Sequence, residues 1–125
     1  MIAGIGIDIA DITRIEDLLK RYGMRFLQRI LTPGEIASCM KRHDAAACIA
    51  GRFAAKEAAY KALSSGRTSG IGFKDITVDT DGSAPRLTLA RKALDRAAQI
   101  GVARIHVSIS HDRGCAVALV VLETS

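Results

Sequence analysis

The run Gly51-Arg-Phe-Ala-Ala-Lys-Glu-Ala-Ala-Tyr-Lys-Ala-Leu63 sets charged side chains into an otherwise alanine-rich stretch. Ala, Lys, Glu and Leu are strong helix formers, so the segment is expected to be helical with little help from its neighbours. On such a helix Phe53, Glu57 and Lys61 recur every four residues and share one face, with Lys56 and Tyr60 on the adjacent stripe. Taken alone, Glu57 and Lys61 read as a helix-supporting pair worth roughly 0.2–0.5 kcal/mol. A second acid, Asp8, ends the apolar run Gly4-Ile-Gly-Ile-Asp8. Should Asp8 and Glu57 converge, two carboxylates from separate elements make a hard oxygen site that suits magnesium, an ion that keeps waters and shares phosphate oxygens. A helix-capping or surface carboxylate is the plainer reading of Asp8. Of the three histidines, His111, beside Asp112, is the best placed for a site, because His106 alternates with apolar neighbours and His43 lies in a charged patch.

These groups depend on the elements that carry them. Ile2, Ile5, Ile7 and Ile9 surround Gly4 and Gly6 in what reads as a buried strand, with Asp8 where strand becomes helix. Thr13-x-x-Glu16 has the form of a capping box, and Ile12, Ile15, Leu18, Leu19 and Tyr22 give the apolar stripe of a first helix ending near Gly23. A short helical turn through Arg25, Phe26 and Arg29 extends its basic face. Thr32-Pro-Gly-Glu35 opens another helix with a capping residue, Pro at the first position and Glu three residues on. Lys41-Arg-His-Asp44 breaks it, and Asp44 is placed to cap the long helix to Leu63. Ser64 to Gly72, with three glycines and three serines, reads as a loop. Ile76 and Val78, a turn at Asp81-Gly82, then Leu87 and Leu89 predict a hairpin. A helix from Ala90 to Ile100 stops at Gly101, a strand carries Ile105, Val107 and Ile109, and a turn at Asp112 to Gly114 leads into a last strand, Ala116 to Leu122. The expectation is a single α+β domain spanning residues 1–125, its mainly antiparallel sheet packed with helices.

Composition narrows the partners. A chain of 125 residues, 49% apolar, builds one core and leaves apolar surface for an oligomeric contact. Eighteen Lys and Arg against 13 Asp and Glu give a net charge of +5, which favours an anionic partner. Aromatic residues are only 4% with no Trp, so platforms for stacking bases are few and a nucleic-acid module is disfavoured. Cys39, Cys48 and Cys115 are odd in number and lack Cys-x-x-Cys spacing, so reduced thiols in a cytosol are expected, without disulfide or zinc site. The N-terminus lacks a basic leader, and the apolar run Cys115 to Leu122 is far short of the ~20 residues of a membrane helix. A soluble cytoplasmic protein with no membrane or nucleic-acid partner follows.

Three motifs in order, Gly6-Ile-Asp-Ile9 with Arg14-Ile15, Arg52-Phe-Ala-Ala-Lys-Glu-Ala58 with Lys61, and His106-Val-Ser-Ile-Ser-His-Asp112, resemble the holo-acyl-carrier-protein synthase family, the short class of 4'-phosphopantetheinyl transferases. The resemblance covers essentially the whole chain. It implies that family's fold, its long Ala-rich helix carrying the metal-site Glu57. It also implies transfer of the 4'-phosphopantetheine arm of coenzyme A to a serine of an apo acyl carrier protein, releasing adenosine 3',5'-bisphosphate. Asp8 and Glu57 would then bind magnesium with the pyrophosphate, and Lys61 would offset phosphate charge. Arg52 and Lys56 would contact the phosphates of coenzyme A, unless they are solvated surface charges. His111 would line the cofactor pocket, touching phosphate or helping to deprotonate the attacking hydroxyl; a metal-bound water could do the latter instead. The resemblance further implies a homotrimer with sites at subunit interfaces, Asp8 and Glu57 from one chain and His111 from the next. Because such carriers are acidic, the basic face with Arg14, Leu18, Arg21, Arg25 and Phe26 is the expected docking surface. The turn Asp81-Gly-Ser-Ala-Pro85 is longer than in relatives, which puts cofactor contacts there in doubt. A basic nucleic-acid module, a magnesium-dependent phosphohydrolase and a catalytically silent adaptor for acidic proteins are the competing readings.

Overall fold

A computed structural model describes residues 1–63, 70–80 and 84–125. Its elements are β1 (Ile2–Asp11), α1 (Ile12–Tyr22), α2 (Met24–Ile30), α3 (Pro33–Met40), α4 (Ala45–Leu63), a 3-10 turn (Phe73–Asp75), β2 (Ile76–Asp79), β3 (Arg86–Leu89), α5 (Arg91–Gln99), β4 (Val102–Asp112) and β5 (Cys115–Thr124). The long strands form an antiparallel sheet in the order β1-β5-β4, and β2 and β3 form a separate antiparallel hairpin. This is the expected α+β arrangement. Most of the expected 64–72 loop and the tip of the hairpin turn at 81–83 lie outside the described residues.

Helix α4 is the centre of the core. Ala54, Ala55, Ala58 and Ala59 are fully buried along it, and such small side chains let helix and sheet approach closely. The sheet answers with glycine. A Cβ on Gly6 would overlap the Ala58 carbonyl oxygen, and one on Gly4 that of Ala62. Alternation along β1 therefore sends Gly4, Gly6, Asp8 and Ala10 toward α4 and the isoleucines the other way. Here the expectation of a buried strand needs correction: Ile5, Ile7 and Ile9 are 57%, 58% and 64% exposed on the outer face of the sheet. Leu119 of β5 is exposed as well, while Val117 and Val121 are half-buried.

Two local starts also differ from expectation. β1 runs on to Asp11, held by pairing with Cys115, so Asp8 lies within the strand and not at its junction with a helix. The cap of α1 is consequently Asp11, whose Oδ1 accepts from the Thr13 amide at 2.9 Å, in place of the Thr13 capping box. The capping box at Thr32 forms as expected, Oγ1 accepting from Glu35 N at 3.3 Å and Glu35 Oε1 from Thr32 N at 2.9 Å. Asp44 precedes α4 and its carbonyl accepts from Cys48 N at 3.1 Å, while its carboxylate pairs with Arg42.

Candidate active site

Asp8, Glu57 and Lys61 converge. β1 crosses beneath the C-terminal half of α4, and Lys61 Nζ donates to Asp8 Oδ1 at 2.8 Å and to the Ile7 carbonyl at 3.2 Å. The lysine thus pairs across to the strand, although it stands one turn from Glu57 on its own helix. Each group feels the others. Burial first, then the charge of Asp8, raises the Glu57 carboxyl, with Lys61 pulling it back. The hydrogen bond to Asp8, then its charge, raises Lys61. Two carboxylates in mutual repulsion are a site that a cation relieves.

The donor set fits magnesium. It offers only hard oxygens, and among the described residues no cluster of three or more metal-ligating side chains occurs. An ion that keeps several waters and shares phosphate oxygens needs no more than two protein carboxylates.

Beside Glu57 a cavity of about 230 Å³ opens between α4 and the 3-10 turn, lined also by Tyr60, Ile71 and Phe73. Phe73 stacks on Phe53, one turn before Glu57, with ring centroids 5.6 Å apart. Lys56 departs from expectation. It is 1% exposed, and its ammonium donates to the Ile30 carbonyl at 2.7 Å, Glu35 Oε1 at 2.7 Å and the Phe73 carbonyl at 3.0 Å. An ammonium has three N–H donors, so none is left to contact a phosphate of coenzyme A.

Arg52 is also buried rather than a solvated surface charge, and it belongs to a different pocket. Its Nη2 donates to Ser38 Oγ at 3.1 Å and Thr80 Oγ1 at 3.3 Å, while its buried Nε has no partner among the described residues. Burial, above all, pulls its pKa down, against the opposing pull of the Glu35 and Asp79 carboxylates. The pocket, about 210 Å³, is lined by Arg42, Asp44, Arg52, Thr80 and His111. Arg42 makes a paired contact to Asp44 at 2.8 and 3.1 Å, whose hydrogen bond holds the Asp44 carboxyl down at about 2.

A disulfide, absent from the sequence expectation, joins Cys39 at the end of α3 to Cys48 in the first turn of α4, with Cα atoms 5.5 Å apart. The turn at 41–44 folds α3 back onto α4 and brings the two cysteines together, leaving Cys115 as the free thiol. The expectation of three reduced thiols fails for this pair.

His111 lies in β4, which runs on to Asp112. Asp8, Ala118 and Ile109 form one row across the sheet, and Ala10, Ala116 and His111 the row two residues along. His111 is therefore two strands from β1, roughly 10 Å laterally, with α4 over the same sheet face. Its pocket takes Cys48, Gly51 and Arg52 from one flank of α4, while Glu57 and Lys61 stand on the other. A single chain does not bring His111 to Asp8 and Glu57.

The α1 and α2 surface does gather its expected residues. Leu18, Tyr22, Arg25, Phe26 and Arg29 line a groove of about 630 Å³. Arg14, Leu18 and Phe26 share a neighbouring groove of about 280 Å³ with Phe53. Arg21 is exposed in the last turn of α1. Phe53 carries this surface to the foot of Glu57, four residues on. Glu35 was missed as anything but a cap; nothing in its spacing signals that it partners Lys56 at a separation of 21 residues.

An α+β fold whose central helix sets a glutamate and a lysine against a strand aspartate is a fold with known members. Residues 4–119 match the family model of the 4'-phosphopantetheinyl transferase superfamily. The chain belongs to the holo-[acyl-carrier-protein] synthase family, enzymes of that superfamily. It is 50% identical to the holo-[acyl-carrier-protein] synthase of Desulfovibrio desulfuricans, covering 98% of this chain and 98% of the relative. It is 48% identical to that of Maridesulfovibrio salexigens, covering 98% and 99%. Among solved structures, the Neisseria meningitidis synthase superposes with a TM-score of 0.88 at 34% identity, covering 99% of this chain and 100% of that one. The Helicobacter pylori synthase in complex with coenzyme A gives 0.81 at 42%, covering 95% and 99%.

Proposed function

We propose that the chain transfers the 4'-phosphopantetheine arm of coenzyme A to a serine hydroxyl of an acidic apo acyl carrier protein, in a magnesium-dependent reaction. The observation that carries this reading is the convergence of Asp8, Glu57 and Lys61 beside a cavity. The serine Oγ forms a bond to the phosphorus that bears the pantetheine, and its proton passes to His111 or to water. The bond from that phosphorus to the bridging pyrophosphate oxygen breaks, and adenosine 3',5'-bisphosphate leaves. Asp8 and Glu57 would hold a magnesium ion, which would supply charge neutralisation at the pyrophosphate. Lys61, fixed by Asp8 and the Ile7 carbonyl, is a preorganised cation for the same charge. Arg52, whose Nε has no partner among the described residues, faces the pocket it shares with His111 and suits an anionic group of coenzyme A.

The carrier docks on α1 and α2, where Arg14, Arg21 and Arg25 meet its acidic surface and Leu18 and Phe26 its apolar contacts. Its serine reaches Glu57 past Phe53. A cytoplasmic location belongs to the same proposal; among the described residues no helix is long and apolar enough to cross a membrane.

The test is the intact mass of an apo acyl carrier protein incubated with the chain, coenzyme A and magnesium. A gain equal to the phosphopantetheine arm, lost when a chelator is added, is expected. No gain in the presence of magnesium overturns the reading.

Assembly as a homotrimer belongs to the same proposal. The outer sheet face, with Ile5, Ile7, Ile9 and Leu119, is apolar and uncovered in the single chain. A neighbouring copy against it supplies His111 to the flank that one chain leaves without it. Sedimentation equilibrium is expected to give the trimer mass, and Ile7→Glu the monomer mass with transfer reduced at least tenfold. A wild-type monomer at assay concentration counts against this assembly.

A further inference from the structure

The chain buries an ion pair that the reaction above does not use. Lys56 and Glu35 are 1% and 3% exposed and meet at 2.7 Å. Every polar atom of the pair is engaged. Lys56 Nζ also holds the Ile30 carbonyl at the end of α2 and the Phe73 carbonyl in the 3-10 turn. Glu35 Oε1 also takes the Thr32 amide at 2.9 Å, and Oε2 takes the Val78 amide of β2 at 2.8 Å. Two side chains thereby tie α2, α3, the 3-10 turn and β2 to one position on α4.

Stability is a poor reason for keeping such a pair. Desolvating two charges costs about what their attraction returns, and a well-packed neutral pair of similar volume is often as stable or more so. What a fully satisfied polar hub does provide is one geometry. The places it joins are those the reaction must hold in register. Ile30 ends α2, which carries Arg25 and Phe26 of the docking surface. Phe73 lines the cavity of Glu57 and stacks on Phe53. Lys56 itself is the residue before Glu57.

We propose that the Lys56–Glu35 pair is a positioning unit that fixes the docking helix α2 and the Phe73 wall relative to Glu57, so that a bound carrier serine meets the phosphorus in line. The inference rests on the transfer reaction proposed above. It gives Lys56 a role through other groups and no contact with coenzyme A. Misplacement of reacting groups by about 1 Å can cost on the order of 10²-fold in rate even when the altered residue is remote.

The experiment compares wild type with the double variant Glu35→Gln, Lys56→Met, which leaves no unpaired charge. Melting temperature, kcat for carrier modification, KM for each substrate and the calorimetric Kd for coenzyme A are measured. The expected result is a folded protein with coenzyme A affinity within about twofold of wild type and kcat lowered about 10- to 100-fold. A folded variant with kcat within twofold of wild type shows a merely structural pair and overturns the inference. So does a loss of coenzyme A affinity of tenfold or more, which marks Lys56 as a phosphate ligand. Where the double variant melts below assay temperature, Glu35→Gln alone, which keeps Lys56 and one amide acceptor, carries the same comparison and the same limits. Wild type without transfer defeats the function itself, and is distinguishable because it precedes any variant.

Discussion

Glu57→Gln is expected to lower carrier modification on the order of 10²–10³-fold, the scale for removing one preorganised charge-stabilising group. The same change is expected to raise the melting temperature of the metal-free protein at neutral pH. Both follow from one carboxyl. Burial and the neighbouring Asp8 raise its pKa in the fold, so the ionised form is less comfortable there than in the unfolded chain. A group shifted upward contributes stability that is fully present below its unfolded value and is lost as pH rises through the folded one. Wild type loses that contribution as pH rises through the folded value, and glutamine, neutral throughout, avoids the cost. Below about pH 4, under the unfolded carboxyl value, the two proteins converge. Thermal melts in chelator at pH 4 and 7, set beside the carrier mass assay, check both halves. A variant less stable than wild type at pH 7, or one with transfer within tenfold, refutes the electrostatic account of this site.

Gly6→Ala carries the largest expected cost in stability. The added methyl overlaps the Ala58 carbonyl oxygen and stands 2.8 Å from the Ala58 carbonyl carbon and 2.9 Å from the Ala62 nitrogen. These are backbone atoms of a helix, so no side chain can swing aside. α4 has to lift from the sheet, at about 3 kcal/mol or more, the upper end for overpacking a core. The lift also draws Lys61 away from Asp8. Denaturant unfolding measures the loss, with Gly34→Ala as control, since a Cβ there meets nothing within 4 Å. A Gly6→Ala protein as stable as wild type would mean that helix and sheet are not in the contact described.

What the sequence revealed and what it hid divide along physical lines. α4 was legible because helix propensity and four-residue spacing both act locally, and the spacing placed Phe53, Glu57 and Lys61 on one stripe. The antiparallel hairpins followed from alternation and turn residues. The direction of β1 was not legible. Gly4 and Gly6 carry no side chain to announce a buried face, so the isoleucines alone gave the apolar signal and pointed it inward. The burial of Lys56 and its pairing with Glu35 were not legible, because a buried charge is marked only by its partner, which lies far along the chain. Cys39 and Cys48 follow no motif, and only the fold of α3 onto α4 joins them. Asp8 and His111 stood out as candidates by residue type and neighbours, but the length of their strands, set by pairing with β5, was not visible in either segment.

The alternation of β1 has an evolutionary consequence. Its even positions, Gly4, Gly6 and Asp8, serve the helix and the chemistry, and its odd ones, Ile5, Ile7 and Ile9, serve the outer face. Substitutions along this strand should therefore be filtered by two separate pressures that trade places at every residue. A single-residue deletion within it would exchange the two sets, setting isoleucine beneath the alanines of α4 and the aspartate outward. The segment can drift one residue at a time but can hardly change its length, so its reading frame is a stricter constraint than the identity of most side chains it contains.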